Sequence, residues 1–144
     1  MNGPTRISPK EANDKLAEGY TYVDVRTTQE FEAGHPAGAV NVPIMLGTGT
    51  GMAPNAEFVR AMNSAFGKDA KIIVGCKAGG RSLRAAQMLL SDGFTNVLDQ
   101  RAGWDGVMGP FGDVAEPGWS RVGLPSERGQ PNGRSWEDMK KKGL

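Results

Sequence analysis

The chain contains one cysteine, Cys76, and its neighbours form a pattern suited to nucleophilic chemistry. The apolar run 72–75 leads into Cys76, and the glycine-rich, basic loop Lys77-Ala78-Gly79-Gly80-Arg81 follows it. Helical spacing of apolar residues then begins at Ser82 and continues to Gly93. The thiol is therefore predicted at a turn from a buried strand into a helix. Such a turn directs backbone N–H groups and the positive end of the helix dipole at its centre, where they stabilise an anion.

Each residue type in this loop has a physical reason to be there. Cationic neighbours and a helix N-terminus favour the thiolate, which is the nucleophilic form of cysteine. Glycines adopt the positive φ angles that converging N–H groups require. Arg81 offers a planar fork that fits an oxyanion group, and Lys77 offers a mobile point charge. We predict that Cys76 is the nucleophile and that the substrate-binding residues are Lys77, Ala78, Gly79, Gly80 and Arg81.

Two other interpretations of the loop stay open. A free cysteine is usually a small, inert member of the core, and Cys76 follows an apolar run. Arg81, at the start of the helix, would have a structural role instead if it paired with an acid in the core.

Composition excludes several classes of function. Seventeen basic and sixteen acidic residues among 144 give a net charge of +1, so we expect neither nucleic acid nor a membrane surface as a partner. One cysteine and one histidine cannot form an internal disulfide or an ordinary zinc site, and we expect no metal and no cofactor. The N-terminus lacks the apolar stretch of a signal peptide. We expect a cytoplasmic protein, or one of an organelle matrix or stroma if a targeting segment has been removed.

Strand and helix signals alternate along the chain, which predicts an α/β domain with a mainly parallel sheet. Ligands of such sheets bind beyond the carboxyl ends of the strands, where Cys76 lies. Strands are predicted at 20–25, 39–42, 72–75 and 96–98. Helices are predicted at 8–19 with Ser8 as N-cap, at 28–33 with Thr28 as N-cap, at 55–66 and at 82–93.

Two other signals have ordinary explanations. Gly47-Thr48-Gly49-Thr50-Gly51 is similar to a dinucleotide-binding fingerprint, but Met52 replaces the third glycine and Pro54 follows where a helix would begin. We predict a flexible loop there. His35 is flanked by Gly34 and Pro36, and we predict a locally hydrogen-bonded loop residue rather than a base for the thiol.

Four segments occur in this order: Val23-Asp24-Val25-Arg26 with Glu30-Phe31, residues 34–43, residues 76–82, and Trp119 with Gly123-Leu124-Pro125. Together they resemble the single-domain rhodaneses, which are sulfurtransferases of the thiosulfate type. The resemblance spans residues 5–125. It implies a rhodanese-like α/β domain with a mainly parallel five-stranded sheet flanked by helices. It also implies that Cys76 carries a persulfide and that Asp24 and Arg26 belong to a supporting polar network beneath the site.

The chain departs from this family pattern between two tryptophans. Residues 105–118 separate Trp104 from Trp119 and contain several apolar residues, and Ala102 replaces the first glycine of the turn before Trp104. We interpret 105–118 as an insertion that acts as a lid, as a partner surface, or as a loop over an edge of the core. Residues 126–144 form a polar tail, predicted to be an exposed linker with one capped helical turn docked through Trp136.

The resemblance implies a thiosulfate sulfurtransferase. Sulfane sulfur would move from thiosulfate or a similar small donor, through a Cys76 persulfide, to cyanide or an external thiol, including a thiol on a partner protein. An alternative is a phosphatase or arsenate reductase of the same fold, although those relatives have one more residue in the loop than 76–81. Another alternative is a non-enzymatic sulfur-relay or binding module.

Overall fold

A computed structural model describes residues 3–142, and its central feature is a parallel sheet of five strands. In chain order the elements are β1 Thr5–Ile7, α1 Pro9–Leu16, β2 Thr21–Asp24, α2 Thr28–Ala33, β3 His35–Pro36, β4 Val40–Asn41, β5 Met45–Thr48, β6 Gly51–Pro54, α3 Phe58–Ala65, β7 Lys71–Gly75, α4 Gly80–Ser91, β8 Asn96–Gln100, β9 Gly106–Met108, β10 Val114–Pro117, a 3₁₀ turn Trp119–Arg121, β11 Ser126–Glu127 and α5 Trp136–Met139. The strand order is β1-β8-β7-β2-β4, and every pair is parallel. The predicted fold class is confirmed.

The core lies on both faces of this sheet, because successive side chains of a strand point to opposite sides. Tyr22 packs on the face covered by α1 and α2, together with Ala12 and Phe31. Val23 packs on the other face, where Leu89 of α4 joins residues of α3 and α5. β7 lies at the centre of the sheet and is buried on both faces, so its end is a rigid support for the residue that follows it.

Within residues 3–142, no helix is long and apolar enough to cross a membrane.

The helix starts show how local hydrogen bonds set the boundaries. Ser8 caps α1 as predicted, and its side chain accepts from the Glu11 N–H. The predicted cap of α2 is wrong by one residue: Thr27 is the N-cap, because Thr27 and Glu30 have the spacing of a capping box and Thr28 has no acid three residues later. The helix predicted from Asn55 begins only at Phe58, since the Asn55 side chain bonds the Glu57 N–H and the Pro43 carbonyl in a turn of its own.

The glycine-rich segment 47–51 is a hairpin rather than a flexible loop. Strands β5 and β6 pair antiparallel, and only Gly49 and Thr50 form the turn between them. Alternating glycine and threonine carries no apolar periodicity, so the pairing could not be predicted from the pattern.

The predicted insertion is also a hairpin. Strands β9 and β10 pair antiparallel, and together with the turn between them they span residues 106–117. Met108 and Phe111, near the tip of the hairpin, are 56% and 94% exposed. The tip therefore does not cover an edge of the core, and the interpretation of 105–118 as a core-covering loop does not fit it.

The C-terminal tail contacts the domain more closely than an exposed linker would. β11 pairs antiparallel with β3, and the Arg134 carbonyl accepts from the backbone N–H of Asn41 in the edge strand β4. α5 is the predicted capped turn, with Ser135 as N-cap, and Trp136 is buried in the core with Met139. Gly143 and Leu144, at the end of the predicted tail, lie outside the described residues, as do Met1 and Asn2.

Candidate active site

Cys76 follows the last residue of β7 directly, and α4 begins four residues later at Gly80. The thiol therefore lies between the carboxyl end of a central strand and the N-terminus of a twelve-residue helix. The backbone N–H of Gly79 donates to the Cys76 sulfur at 3.1 Å. Gly79 has φ +99°, and a side chain there would overlap the carbonyl of Arg101, so only glycine fits this turn.

A hydroxyl group completes the immediate surroundings of the sulfur. The Cys76 sulfur lies 3.5 Å from Oγ of Ser82, and that hydroxyl donates to the Gly79 carbonyl at 3.3 Å. Ser82 is fully buried, and it is not among the site residues predicted from the sequence. Its position in the first turn of α4 was the available signal, since a hydroxyl there can face the residue that precedes the helix.

The burial of Cys76 agrees with an inert core cysteine, but the groups around its sulfur do not. The residue is 2% exposed and contacts the core on one side. On the other side its sulfur has a backbone N–H and a hydroxyl within hydrogen-bonding distance, and the adjoining loop residues Lys77, Ala78 and Gly80 are exposed. The sulfur thus lies just below an exposed loop that offers hydrogen bonds.

A second turn supports the loop from behind. The N–H of Trp104 donates to the Cys76 carbonyl at 2.7 Å, and the N–H of Asp105 donates to the Lys77 carbonyl at 3.0 Å. Gly103 has φ +66°, and a side chain at this position would collide with the backbone of residues 76 and 77. The buried side chain of Gln100 fixes the turn by accepting from the N–H groups of residues 102 and 103.

The two cations of the loop have different partners. Lys77 is 59% exposed, and its Nζ lies 3.8 Å from the carboxylate of Asp105. Arg81 is half-buried, and both of its terminal nitrogens donate to the Glu30 carboxylate of α2, at 2.6 and 2.9 Å. Pairing with an acid, the open alternative for Arg81, is therefore present in the structure.

The Arg81–Glu30 pair also changes the ionisation of Glu30. Burial alone would raise the pKa of Glu30, but hydrogen bonds from Arg81 and from the Thr27 backbone outweigh it and lower the pKa to about 2. Because the folded-state pKa is lowered, the stabilisation from this carboxylate is present above about pH 4.5 and is lost as the pH falls toward 2.

Asp24 and Arg26 form a buried ion pair at the end of β2. Nε and Nη2 of Arg26 donate to the Asp24 carboxylate at distances between 2.7 and 3.1 Å, and Nη2 also donates to the Gly34 carbonyl at 2.6 Å. The Arg26 guanidinium lies 5.2 Å from the centre of the Trp104 ring. Asp24 pairs in register with Gly75, so the ion pair lies one residue away from the loop, and neither side chain bonds the sulfur.

His35 does not face the thiol. Its Nδ1 lies 2.6 Å from the Phe31 carbonyl, and its Nε2 lies 3.0 Å from the Glu127 carboxylate. The predicted local hydrogen bond is present, but His35 is fully buried in β3 instead of lying in a loop.

A groove of about 410 Å³ opens beside the loop. Residues 78–80 form one wall, and the hairpin β9–β10 contributes Val107, Ala115 and Glu116 to the other. The insertion therefore borders the loop.

A thiol that accepts a backbone N–H hydrogen bond between a parallel strand and a helix N-terminus is typical of a class of cysteine-dependent α/β domains. Within this class, the model of the Rhodanese-like domain matches residues 8–109, and the chain belongs to that family.

Relatives and solved structures agree with this assignment. The chain is 40% identical over 124 residues to Thiosulfate sulfurtransferase 16, chloroplastic, of Arabidopsis thaliana, covering 86% of this chain and 93% of that protein. It is 39% identical over 89 residues to the Arabidopsis thaliana Protein HIGH ARSENIC CONTENT 1, mitochondrial, covering 62% of this chain and 53% of that protein. The crystal structure of Rv0390 from M. tuberculosis superposes with a TM-score of 0.74 at 26% identity, covering 89% of this chain and all of that one. At the level of the family, these findings support a sulfurtransferase.

Proposed function

We propose that this protein transfers sulfane sulfur from thiosulfate, or a similar small donor, through a persulfide on Cys76 to cyanide or an external thiol. The observation that carries the proposal is the hydrogen bond from the Gly79 N–H to the Cys76 sulfur at the N-terminus of α4. N–H groups arranged in this way stabilise a thiolate, and they would stabilise the terminal anion of a persulfide in the same manner. The name of the Arabidopsis sulfurtransferase relative agrees with this chemistry.

The reaction would proceed in two balanced steps. The Cys76 thiolate attacks the outer sulfur of thiosulfate; a new S–S bond forms, the old S–S bond breaks, and sulfite leaves with the bonding electrons. The acceptor then attacks the outer sulfur of the persulfide, and the Cys76 thiolate leaves. Because the chain has no second cysteine, the sulfur cannot be discharged into an internal disulfide and must pass to an outside nucleophile.

The hairpin β9–β10 fits a role in acceptor selection. It borders the same groove as the loop residues 78–80, and Phe111 projects from its tip. We propose that it restricts the approach of bulky acceptors and leaves cyanide and small thiols unaffected.

One observation favours a second candidate, an arsenate-handling enzyme. A relative of similar identity is named for high arsenic content. The six-residue loop from Cys76 to Arg81 argues for sulfur, since the oxyanion-handling proteins of this fold carry one residue more. Arg81 is also committed to Glu30, which reduces its capacity to hold a tetrahedral oxyanion.

Intact-mass spectrometry distinguishes these candidates. We expect incubation with thiosulfate to add the mass of one sulfur atom to the protein, and cyanide or excess thiol to remove it. A parallel incubation with mercaptopyruvate tests a second sulfur donor. Incubations with arsenate and with a phosphate ester test the substrates of the alternative functions. Turnover of arsenate or the ester without any sulfur loading from either sulfur donor would contradict the proposal.

The role of Arg81 can be separated from that of its partner by two variants. If Arg81 also attracts the anionic donor, Arg81→Ala should raise the KM for thiosulfate roughly tenfold, the effect of one lost charge-assisted interaction of about 1.4 kcal/mol. Glu30→Gln should leave KM equal or lower, because it releases Arg81 from its acid. Lys77→Ala is the matched control on the exposed side of the loop, with a smaller expected effect. Steady-state kinetics checks all three; an unchanged KM in Arg81→Ala, with lower thermal stability, would give Arg81 a purely structural role.

A further inference from the structure

Arg6 lies in strand β1, far along the chain from the loop, and yet contacts it. Its Nε donates to Oδ2 of Asp99 at 2.7 Å, and its Nη2 donates to the Gly79 carbonyl at 3.1 Å. These partners are 93 and 73 positions away in sequence. Arg6 therefore joins an edge strand, a buried carboxylate of β8 and the centre of the sulfur loop. It lies outside the residues that the family model matches.

The contact with Gly79 matters because of where this residue lies. Its N–H donates to the Cys76 sulfur, while its carbonyl accepts from the Leu83 N–H of α4 and from the side chains of Arg6 and Ser82. Glycine has the greatest backbone freedom of all residues, and both of its adjoining peptide planes could rotate. The three donors on the carbonyl restrict rotation of the following peptide plane, and Arg6 is the one that comes from outside the loop and its helix. Because a trans peptide is planar, these donors also fix the direction of the next N–H group, that of Gly80.

Asp99 holds Arg6 in place for this contact. Its side chain is fully buried, and its Oδ1 makes no hydrogen bond to any residue from 3 to 142. Burial raises the pKa of Asp99, an effect that the nearby Ser82 hydroxyl and Arg6 only partly oppose. The Arg6 guanidinium forms an ion pair with this carboxylate, and because Asp99 is fully buried, it holds the guanidinium at a fixed place beside the loop.

We propose that Arg6, oriented by Asp99, is a positioning residue of the sulfur loop: by holding the Gly79–Gly80 peptide plane it restricts the backbone of Gly79, the residue whose N–H donates to the Cys76 sulfur. Its effect on turnover rests on the proposed function; its effect on the loop does not.

The test uses a substitution that keeps the charge. Arg6→Lys can still pair with Asp99, but a single ammonium at the end of a different stem does not reproduce the fork that reaches both Asp99 and the Gly79 carbonyl. Arg84→Lys makes the same chemical change at an exposed position of α4 and is the matched control. Three readouts are compared: the rate of Cys76 alkylation by iodoacetamide at fixed pH, hydrogen exchange of the peptide spanning 76–82, and kcat and KM with thiosulfate and cyanide.

For Arg6→Lys we expect faster hydrogen exchange in 76–82, an altered alkylation rate and a roughly tenfold lower kcat with a nearly unchanged KM, since small displacements of positioned groups cost rate more than binding. Arg84→Lys should match the wild type in all three.

If Arg6→Lys lowers only the melting temperature, the proposal is overturned and the Arg6–Asp99 pair is structural. If Arg6→Lys does not fold, the double variant Arg6→Gln with Asp99→Asn takes its place, because it leaves no unpaired buried charge. The same three readouts then show whether loss of the Arg6 contact changes the loop. If wild-type protein accepts no sulfur, the proposed function fails, while alkylation and exchange still decide the role of Arg6.

Discussion

Cys76→Ser is expected to abolish sulfur loading and to lower thiosulfate turnover by at least about a thousandfold, because the residue that forms the covalent intermediate is removed. A hydroxyl is nearly isosteric with the thiol, and it can still bond the Gly79 N–H and the Ser82 hydroxyl. The variant should therefore fold, and its circular dichroism spectrum and melting temperature should remain close to those of the wild type. Mass spectrometry after incubation with thiosulfate measures the loading directly.

The single cysteine supplies a second, independent test of the same role. Iodoacetamide can modify only Cys76, so alkylated wild-type protein should behave as the serine variant does. In wild-type protein loaded with sulfur before alkylation, iodoacetamide should modify the outer sulfur of the persulfide, and reduction of the S–S bond with dithiothreitol should then release a reactive Cys76 thiol. Sulfur that still loads onto Cys76→Ser would place the intermediate on another residue and end the proposed mechanism.

Asp24→Ala is expected to lower the free energy of unfolding by about 3–5 kcal/mol, the usual cost of leaving one member of a buried ion pair without its partner. Arg26 is only 3% exposed, so without Asp24 its buried guanidinium would keep its bond to the Gly34 carbonyl but lose the carboxylate it is paired with. Burial by itself would lower the pKa of Arg26, and Asp24 reverses this and raises it, so the charge stays on the arginine. Urea unfolding followed by tryptophan fluorescence measures the change.

Two controls separate this pair from charge loss in general. Asp14→Ala removes an acid from an exposed position of α1 and should change stability by less than about 0.5 kcal/mol. Replacing both members of the pair, Asp24→Leu with Arg26→Met, should be less damaging than Asp24→Ala alone, since no uncompensated charge is left. Equal stability of Asp24→Ala and the wild type would show that the pair does not support the end of β2.

The elements predicted correctly are those whose signals are local. Ser8 and Glu11 form a capping box that fixes the start of α1 within four residues of sequence. The apolar run before Cys76 is long enough to identify a buried strand, and the loop with its two glycines identifies the turn into α4. Thr27 and Thr28 were both possible N-caps of α2. Glu30 lies three residues after Thr27, the spacing of a capping box, and this spacing identifies Thr27 as the cap.

The missed elements are short, and partners elsewhere in the chain stabilise them. β1 has three residues and exists because it pairs with β8, more than ninety residues later. β11 has two residues and depends on β3. Both strands are too short to show a periodic pattern of apolar residues. They form because β1 pairs with the edge of the sheet at β8 and β11 pairs with β3.

The sequence by itself determined that this protein has a single cysteine, Cys76, and correctly predicted it at a strand-to-helix turn with glycines and cations. These properties depend on residue types and on spacings of a few residues, which are visible in the chain. Tertiary structure alone decided that Arg81 pairs with Glu30 and that Arg6, paired with Asp99, reaches the loop at Gly79. The physical reason is that hydrogen bonds and ion pairs act over about 3 Å in space, and the groups that form the pairs with Glu30 and Asp99 are brought to that distance by the folding of dozens of intervening residues.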